Sequence, residues 1–283
     1  GLKSYKDLPL KYAEFGIVHR NEPSGTLHGL LRIRGFTQDD AHIFCTTDQI
    51  EKEISILIKD IHEIYKKFGF SELKIELSTR PEKRVGSDEI WNRAEESLIK
   101  ALHANNINFI ENPGDGAFYG PKIDFSLKDS LSRVWQLGTI QLDFSMPGRL
   151  DANYIDSNGD KQTPVMIHRA ILGSLERFVG ILIEHYSGNL PFWLSPQQII
   201  VLNITDKHID YAKEISDKLC DFGYRSENDF SNEKIGYKIR NHSITRVPYM
   251  VIIGDKELDD NNLSVRDRSG NDLGSMNFDK FIE

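Results

Sequence analysis

The sequence predicts a mixed α/β chain in two parts: an α+β domain with an antiparallel sheet flanked by helices, then a smaller α/β domain. Three observations carry this. Two apolar-alternating runs, residues 12–19 and 31–44, flank a Pro/Ser/Gly-rich loop and read as a long-looped antiparallel hairpin. Beyond residue 196, strand patterns alternate with helical ones, as in a small, mainly parallel α/β unit. Between them, residues 188–196 gather glycine, two prolines and Trp193 and break the helical pattern. The boundary is placed there, with residues 1–192 in the first domain and 193–283 in the second.

Each element follows in order. Thr46 or Thr47 can cap a helix in which Ile50, Ile54, Leu57, Ile58, Ile61 and Tyr65 recur at helical spacing until Gly69 stops it. Residues 73–77 read as a strand and 78–84 as a charged turn. Ser87 caps a second helix, with Asp88 and Glu89 in the favourable first turn and Ile90, Trp91, Ala94, Leu98, Ala101 and Leu102 as its apolar face. Residues 112–121 are glycine-rich, which would let the backbone approach a ligand closely. Strands are expected at 122–127 and 133–144, the latter with Gln141 and Asp143 on one face. A short strand from Pro164 runs into a helix ending near Tyr186. The second domain reads as strand 199–204, helix 207–222, a strand near Tyr224, helix 233–241, strands 249–253 and 263–267, and a helix start at Asn277.

Composition narrows the function. The 283 residues are 39% hydrophobic and 28% charged, a globular profile with ample core. A net charge of −8 excludes a global basic field, so a nucleic-acid partner would be held by local patches. Two distant cysteines, Cys45 and Cys220, make no disulfide framework and suggest a reducing cytoplasm. No signal peptide or long apolar span speaks for a membrane. A start at Gly1 suggests a chain cut from something longer.

The chemistry concentrates in the hairpin. Strand alternation projects Gln38, Asp40 and His42 together, with Arg32, Arg34 and Phe36 if the strand is unbroken. Ile33, Thr37, Ala41 and Ile43 take the opposite face and suit a core. The polar face would make a floor for an anionic, planar, multi-part ligand; a solvated outer face with ion pairs is the alternative. No glycine-rich phosphate loop of the Walker or Rossmann kind is present, so arginines would have to grip phosphate, and Arg20, Arg32 and Arg177 are the candidates. Phe36 could stack on a base and Glu22 accept from an exocyclic amine. Singly, each reads more readily as a surface ion pair or a core aromatic; their crowding into one hairpin is what points to a site. His42 and His168 would hold a metal only by converging with a further ligand. Cys45, three residues beyond His42 along the strand, points to the other face and belongs to the core.

Four segments carry a resemblance. Residues 20–25 with 32–42 resemble motif 2 of the class II aminoacyl-tRNA synthetases, in the threonyl form of the family, and 167–178 resemble motif 3. Residues 116–122 and 138–143 also match the threonyl enzymes, and the likeness spans the chain, including a C-terminal anticodon-binding domain. The resemblance implies activation of threonine by ATP with Mg²⁺ and transfer to the 3′ end of tRNA(Thr). It implies Arg20 at the α-phosphate, Glu22 at the adenine edge, Phe36 on its face, Arg177 at the γ-phosphate and Arg32 assisting. His42 and His168 would bind Zn²⁺, which takes the amino and hydroxyl groups of threonine, with Asp40 beside them. Gln38, Tyr119, Lys122 and Gln141 would line the pocket and reach substrate or ATP. Asn232, Lys234, Lys238, Arg240, Glu257 and Arg266 would contact the tRNA anticodon, the alternative being a solvated helix face.

The zinc has a physical rationale. An apolar pocket separates threonine from isosteric valine by only ~10²-fold, whereas a site that binds the hydroxyl reaches ~10⁴–10⁵-fold. Serine keeps the hydroxyl, so the family edits it in a separate domain. The chain departs from the family where the third zinc ligand, a cysteine upstream of Gly1, the dimer-building motif 1 and the editing domain are concerned. These 283 residues alone are therefore expected to hold zinc weakly, and the intact enzyme to be a cytoplasmic homodimer. The competing readings are a catalytically silent, synthetase-like RNA-binding or regulatory protein, and a class II synthetase for another amino acid.

Overall fold

The structure, a computed structural model, describes residues 2–283. It divides into two compact units, one ending at His185 and one running from Tyr186 to Glu283. The first is built on seven strands: β1 (Leu10–His19), β2 (Gly35–Cys45), β3 (Lys74–Ser78), β4 (Ile110–Asn112), β5 (Lys122–Lys128), β6 (Val134–Asp143) and β7 (Val165–Ser174). Their spatial order is β1-β2-β7-β6-β5-β3-β4. Every neighbouring pair is antiparallel except β3 with β4.

Register makes this sheet two-faced. Ala41, Ile43 and Cys45 of β2, Ile123 and Phe125 of β5, Ile140 and Leu142 of β6, and Ile167 of β7 are buried on one face. Helix α1 (Ile50–Lys67) lies over it: Tyr65 bonds the backbone of Ile171, and the His62 ring meets Phe125 at 6.2 Å. Burial pushes the Cys45 thiol up to about 12, so it behaves as a small apolar group. Helix α2 (Asp88–Ala104) packs beside α1 and buries Trp91, Ala94, Leu98, Ala101 and Leu102, with Ser87 capping it as expected. Ile90 departs from the expected face and is exposed. Polar residues occupy the other side of the sheet.

Two irregularities depart from the expected strands. The second hairpin strand begins at Gly35, not Leu31, so Arg32 and Arg34 sit in the loop. There Arg34 donates to Glu22 O and Ser24 Oγ, Arg32 donates to the Glu22 carboxylate, and Leu31 is buried. These contacts hold the segment off the ladder. The second irregularity is in β7, which is ten residues long and bulged: Ala170 faces Asp40, yet Ser174 faces Gln38. Four steps along β7 thus match two along β2. Gly173 turns the bulge at φ +70°, where a Cβ would lie 2.4 Å from Leu137 O. Helix α3 (Leu175–His185) starts directly after it.

The second unit has strands β8 (Ile199–Asn203), β9 (Ser226–Asp229), β10 (Tyr249–Ile253), β11 (Leu263–Asp267) and β12 (Asp272–Met276), ordered β9-β8-β10-β11-β12. The first three are parallel; β11 and β12 are antiparallel, so the sheet is mixed. Helices α4 (Ile209–Asp221) and α5 (Ile235–Ile244) flank it, and α7 (Phe278–Ile282) is capped by Asn277. Helix α6 (Asp255–Asp260) and β12 escape the sequence pattern. The helix is too short and acidic to show an apolar period, and β12 is almost wholly exposed, with Gly274 at φ +90°. No helix among the described residues is long and apolar enough to cross a membrane.

Candidate active site

The polar face of the first sheet carries the site, and strand register sets its inner end. Tyr12, His42, His168, Gln141, Lys122 and Ser78 lie opposite one another across six strands. The rings of His42 and His168 meet at 4.8 Å between centroids, edge to face. Asp143 accepts from His168 Nε2 at 3.0 Å and is itself fixed by the N–H groups of Ser145 and Met146. Burial alone would push that carboxyl up, but His168 and the two N–H groups outweigh it and hold it below the usual range. With Nε2 engaged, Nδ1 of His168 is the nitrogen available to a metal. Among the described residues no group of three or more His, Cys, Asp or Glu is arranged to hold one.

Around the imidazoles, Tyr119 donates its hydroxyl to Gln141 Oε1 at 2.9 Å and its ring lies 5.8 Å from His168. Asp40 comes within 3.9 Å of His42 Nδ1. Lys122 donates to Asp124 at 2.6 Å. The glycine-rich approach to this pocket serves the protein's own backbone: a Cβ on Gly120 would lie 1.6 Å from Leu142 O. Close approach to a ligand is not what requires that glycine.

The outer end is a cleft lined by Arg20, Glu22, Arg32, Phe36, Gln38, Gln136, Thr139, Ser174 and Arg177. Arg20 lies over the Phe36 ring at 5.2 Å and Arg177 over Trp135 at 5.4 Å. Arg177 donates from Nε to Leu31 O and from Nη1 to Gln136 O, both at 2.7 Å. Burial, then the charges of Arg20 and Arg32, pull its pKa down; Glu22 opposes them. Glu22, the carboxylate of this cleft, bonds Arg32 at 2.9 Å. Cationic surplus on aromatic planes suits a polyphosphate with a planar base. Larger space lies elsewhere: a cavity of about 560 Å³, lined by residues 69–74, 126–128, Val134 and His185, holds none of the expected site residues.

Sequence reasoning missed Gln136, Thr139 and Asp124. Asp124 is buried and accepts from Lys122, Gln136 and Thr139, tying the two ends together. A register shift in β6 opposite Phe125 and Ser126 brings Gln136 to the side of Thr139, which simple alternation would not do. Trp135, under Arg177, donates to Asp129 at 2.8 Å.

Residues 1–186 match the tRNA synthetase class II core domain (G, H, P, S and T). The chain belongs to the class II aminoacyl-tRNA synthetase family. Residues 198–283 match an anticodon binding domain. Curated relatives named threonine–tRNA ligase, from Halorhodospira halophila and Marinobacter nauticus, are 59% and 61% identical over essentially the whole chain. The chain spans 44% of the length of each. A solved structure described as the RNA binding domain of threonyl-tRNA synthetase from Cryptosporidium parvum Iowa II superposes with a TM-score of 0.93 at 44% identity, covering 99% of this chain and 70% of that one.

The second unit treats the expected anticodon residues unequally. Asn232 and Glu257 follow β9 and β10, at the carboxyl edge of the parallel strands, where such sheets bind ligands. Asn232, Lys234 and Arg240 are exposed. Glu257 accepts from Gly254 N, and Arg266 faces Met250 near the other end of β10, donating to Gly270 O and Asp272. Lys238 is a correction. It is buried, donating to Asn203 O, Asn203 Oδ1 and Asp229 O, and is structural.

Proposed function

We propose that this chain carries the amino-acid-activating core and the anticodon-binding unit of a cytoplasmic, homodimeric threonine–tRNA ligase. One observation carries the reading: two imidazoles 126 positions apart in sequence (His42 and His168) face each other in register beside an arginine cleft. The identity to threonine–tRNA ligases supports the amino acid.

In this reading ATP lies in the outer cleft with Mg²⁺ on its phosphates. Phe36 stacks on adenine, Glu22 accepts from its amino group, Arg20 holds the α-phosphate and Arg177 the γ-phosphate. Arg32 assists once its pair with Glu22 opens. Threonine lies at the inner end, against Gln38, Asp40, Tyr119 and Gln141, with Lys122 beside them. Its carboxylate attacks the α-phosphorus and pyrophosphate leaves; a terminal ribose hydroxyl of the tRNA 3′ end then attacks the adenylate's carbonyl carbon, forming the ester and releasing AMP. Catalysis rests on positioning and on cations placed where phosphate charge develops. His42 and His168 fit as two nitrogen ligands of a zinc ion, the second oriented by Asp143. When bound, the metal would supply a Lewis acid that recognises the amino and hydroxyl groups. In the second unit Asn232, Arg240, Glu257 and Arg266 are the candidates for anticodon contacts.

The test is amino-acid-dependent ATP–pyrophosphate exchange by the intact protein with threonine, serine and valine. Threonine-dependent exchange that His168→Ala abolishes is expected. Exchange with none of the three overturns the reading.

A further inference from the structure

Asp39 has no part in the chemistry above. It lies on the core face of β2, buried, while its neighbours Gln38 and Asp40 face the substrate side. Its carboxylate accepts three consecutive backbone N–H groups: Ile171 at 2.8 Å, Leu172 at 3.0 and 3.1 Å, and Gly173 at 2.8 Å. Those residues are the bulge of β7. Tyr65 holds the same segment through its carbonyl, donating to Ile171 O at 2.6 Å. The Arg169 guanidinium, 3.5 Å away, offsets part of the buried charge. Burial pushes the Asp39 carboxyl up despite these partners, so it is held where an ionised group is costly.

What this arrangement fixes is register. The bulge moves Ser174 opposite Gln38, and α3 begins at the next residue. Glu176, in the first turn, accepts from Thr37 N at 2.9 and 3.0 Å, a second carboxylate clasp between β2 and this corner. Arg177 follows, its own N–H bonded to Ser174 Oγ, and its guanidinium reaches the cleft. A straight β7 would carry Arg177 two residues along the ladder, away from that position.

We propose that Asp39 is a positioning residue for the triphosphate: by collecting the three N–H groups of the bulge it fixes where α3 starts, and so where the Arg177 guanidinium lies. It acts through Arg177 and touches no nucleotide. The inference rests on the reading of the arginine cleft as the ATP site.

The test compares MgATP with AMP, by calorimetric titration of the wild type, Asp39→Asn and Tyr65→Phe, with each melting temperature recorded. AMP reports Arg20 and Phe36; ATP adds the phosphates that report Arg177. Asparagine offers one acceptor oxygen and an N–H that meets N–H. Asp39→Asn is expected to weaken ATP by about tenfold to a hundredfold, the scale of a charge-assisted hydrogen bond. AMP should weaken by no more than about threefold on the same scale. Tyr65→Phe should shift the ratio the same way by a smaller factor. A purely structural Asp39 lowers the melting temperature and leaves the ATP-to-AMP ratio alone; that result in the folded variants overturns the inference. If Asp39→Asn does not fold, Tyr65→Phe decides, and an unchanged ratio there overturns it. A wild type that binds no ATP overturns the ATP reading itself and this inference with it, and is told apart because it appears before any substitution.

Discussion

The two ends of the polar face are built differently. At the inner end, straight ladders do the work: His42, His168, Gln141 and Lys122 are register partners on four adjoining strands. At the outer end three of the polar groups arrive by irregularities, while Phe36 and Gln38 stay on the β2 ladder. Arg32 comes from a loop, Gln136 from a shifted register in β6, and Arg177 from the bulged corner before α3. A ladder fixes side chains to within the spacing of the sheet, which suits coordination of a small polar ligand. Loops and bulges aim long guanidinium arms at a ligand with charges spread over several atoms. The contrast implies that the ends can be damaged separately.

The largest separation should come from His168→Ala. Threonine-dependent exchange should fall by about 10³-fold, and the preference for threonine over valine should sink from ~10⁴–10⁵ toward ~10². ATP binding measured alone should hardly change. Arg177→Ala should invert that pattern: exchange drops by about 10²–10³-fold, as for removal of a charge-stabilising donor. Its threonine-to-valine ratio should remain that of the wild type. If both variants lose selectivity alike, the two ends are not separable and the comparison fails.

A smaller effect should follow from Gly173→Ala. The added methyl meets Leu137 O and the φ of +70° disfavours it, at a cost of about 1–3 kcal/mol in denaturant unfolding. Residual activity should show a raised KM for ATP with an unchanged KM for threonine. The smallest effect concerns acid. Asp129 accepts from Trp135, from Arg133 and from two backbone N–H groups, which together overcome burial and hold its carboxyl at about 2. A depressed folded-state pKa adds stability that is complete above the unfolded carboxylate range and fades as pH falls toward about 2. Melting curves of Asp129→Asn should therefore be lower than wild type at neutral pH and converge with it in acid. A gap that persists at pH 2 would contradict the assignment.

The same contrast explains what could be read from sequence. The inner end was legible: alternation along β2 placed Gln38, Asp40 and His42 together and turned Cys45 into the core, where it is fully buried. At the outer end alternation misled. It carried Arg32 and Arg34 on a strand that starts only at Gly35, and it gave no hint of Gln136, because one shifted residue reverses the face of all that precede it. Asp39 carries no signal in the sequence, since its partners are backbone groups 132 to 134 positions away. In the second unit the longer amphipathic and β-branched segments were plain, and the six-residue acidic helix and the exposed final strand were not.

The crowding of Arg20, Arg32 and Arg177 around one carboxylate has a thermodynamic consequence for the resting protein. Three like charges sharing a single carboxylate raise the free energy of the cleft, and dissolved electrolyte relieves that tension. Raising ionic strength should thus steady the ligand-free fold while loosening its grip on nucleotide, so the thermal shift that ATP induces shrinks from both sides as salt is added.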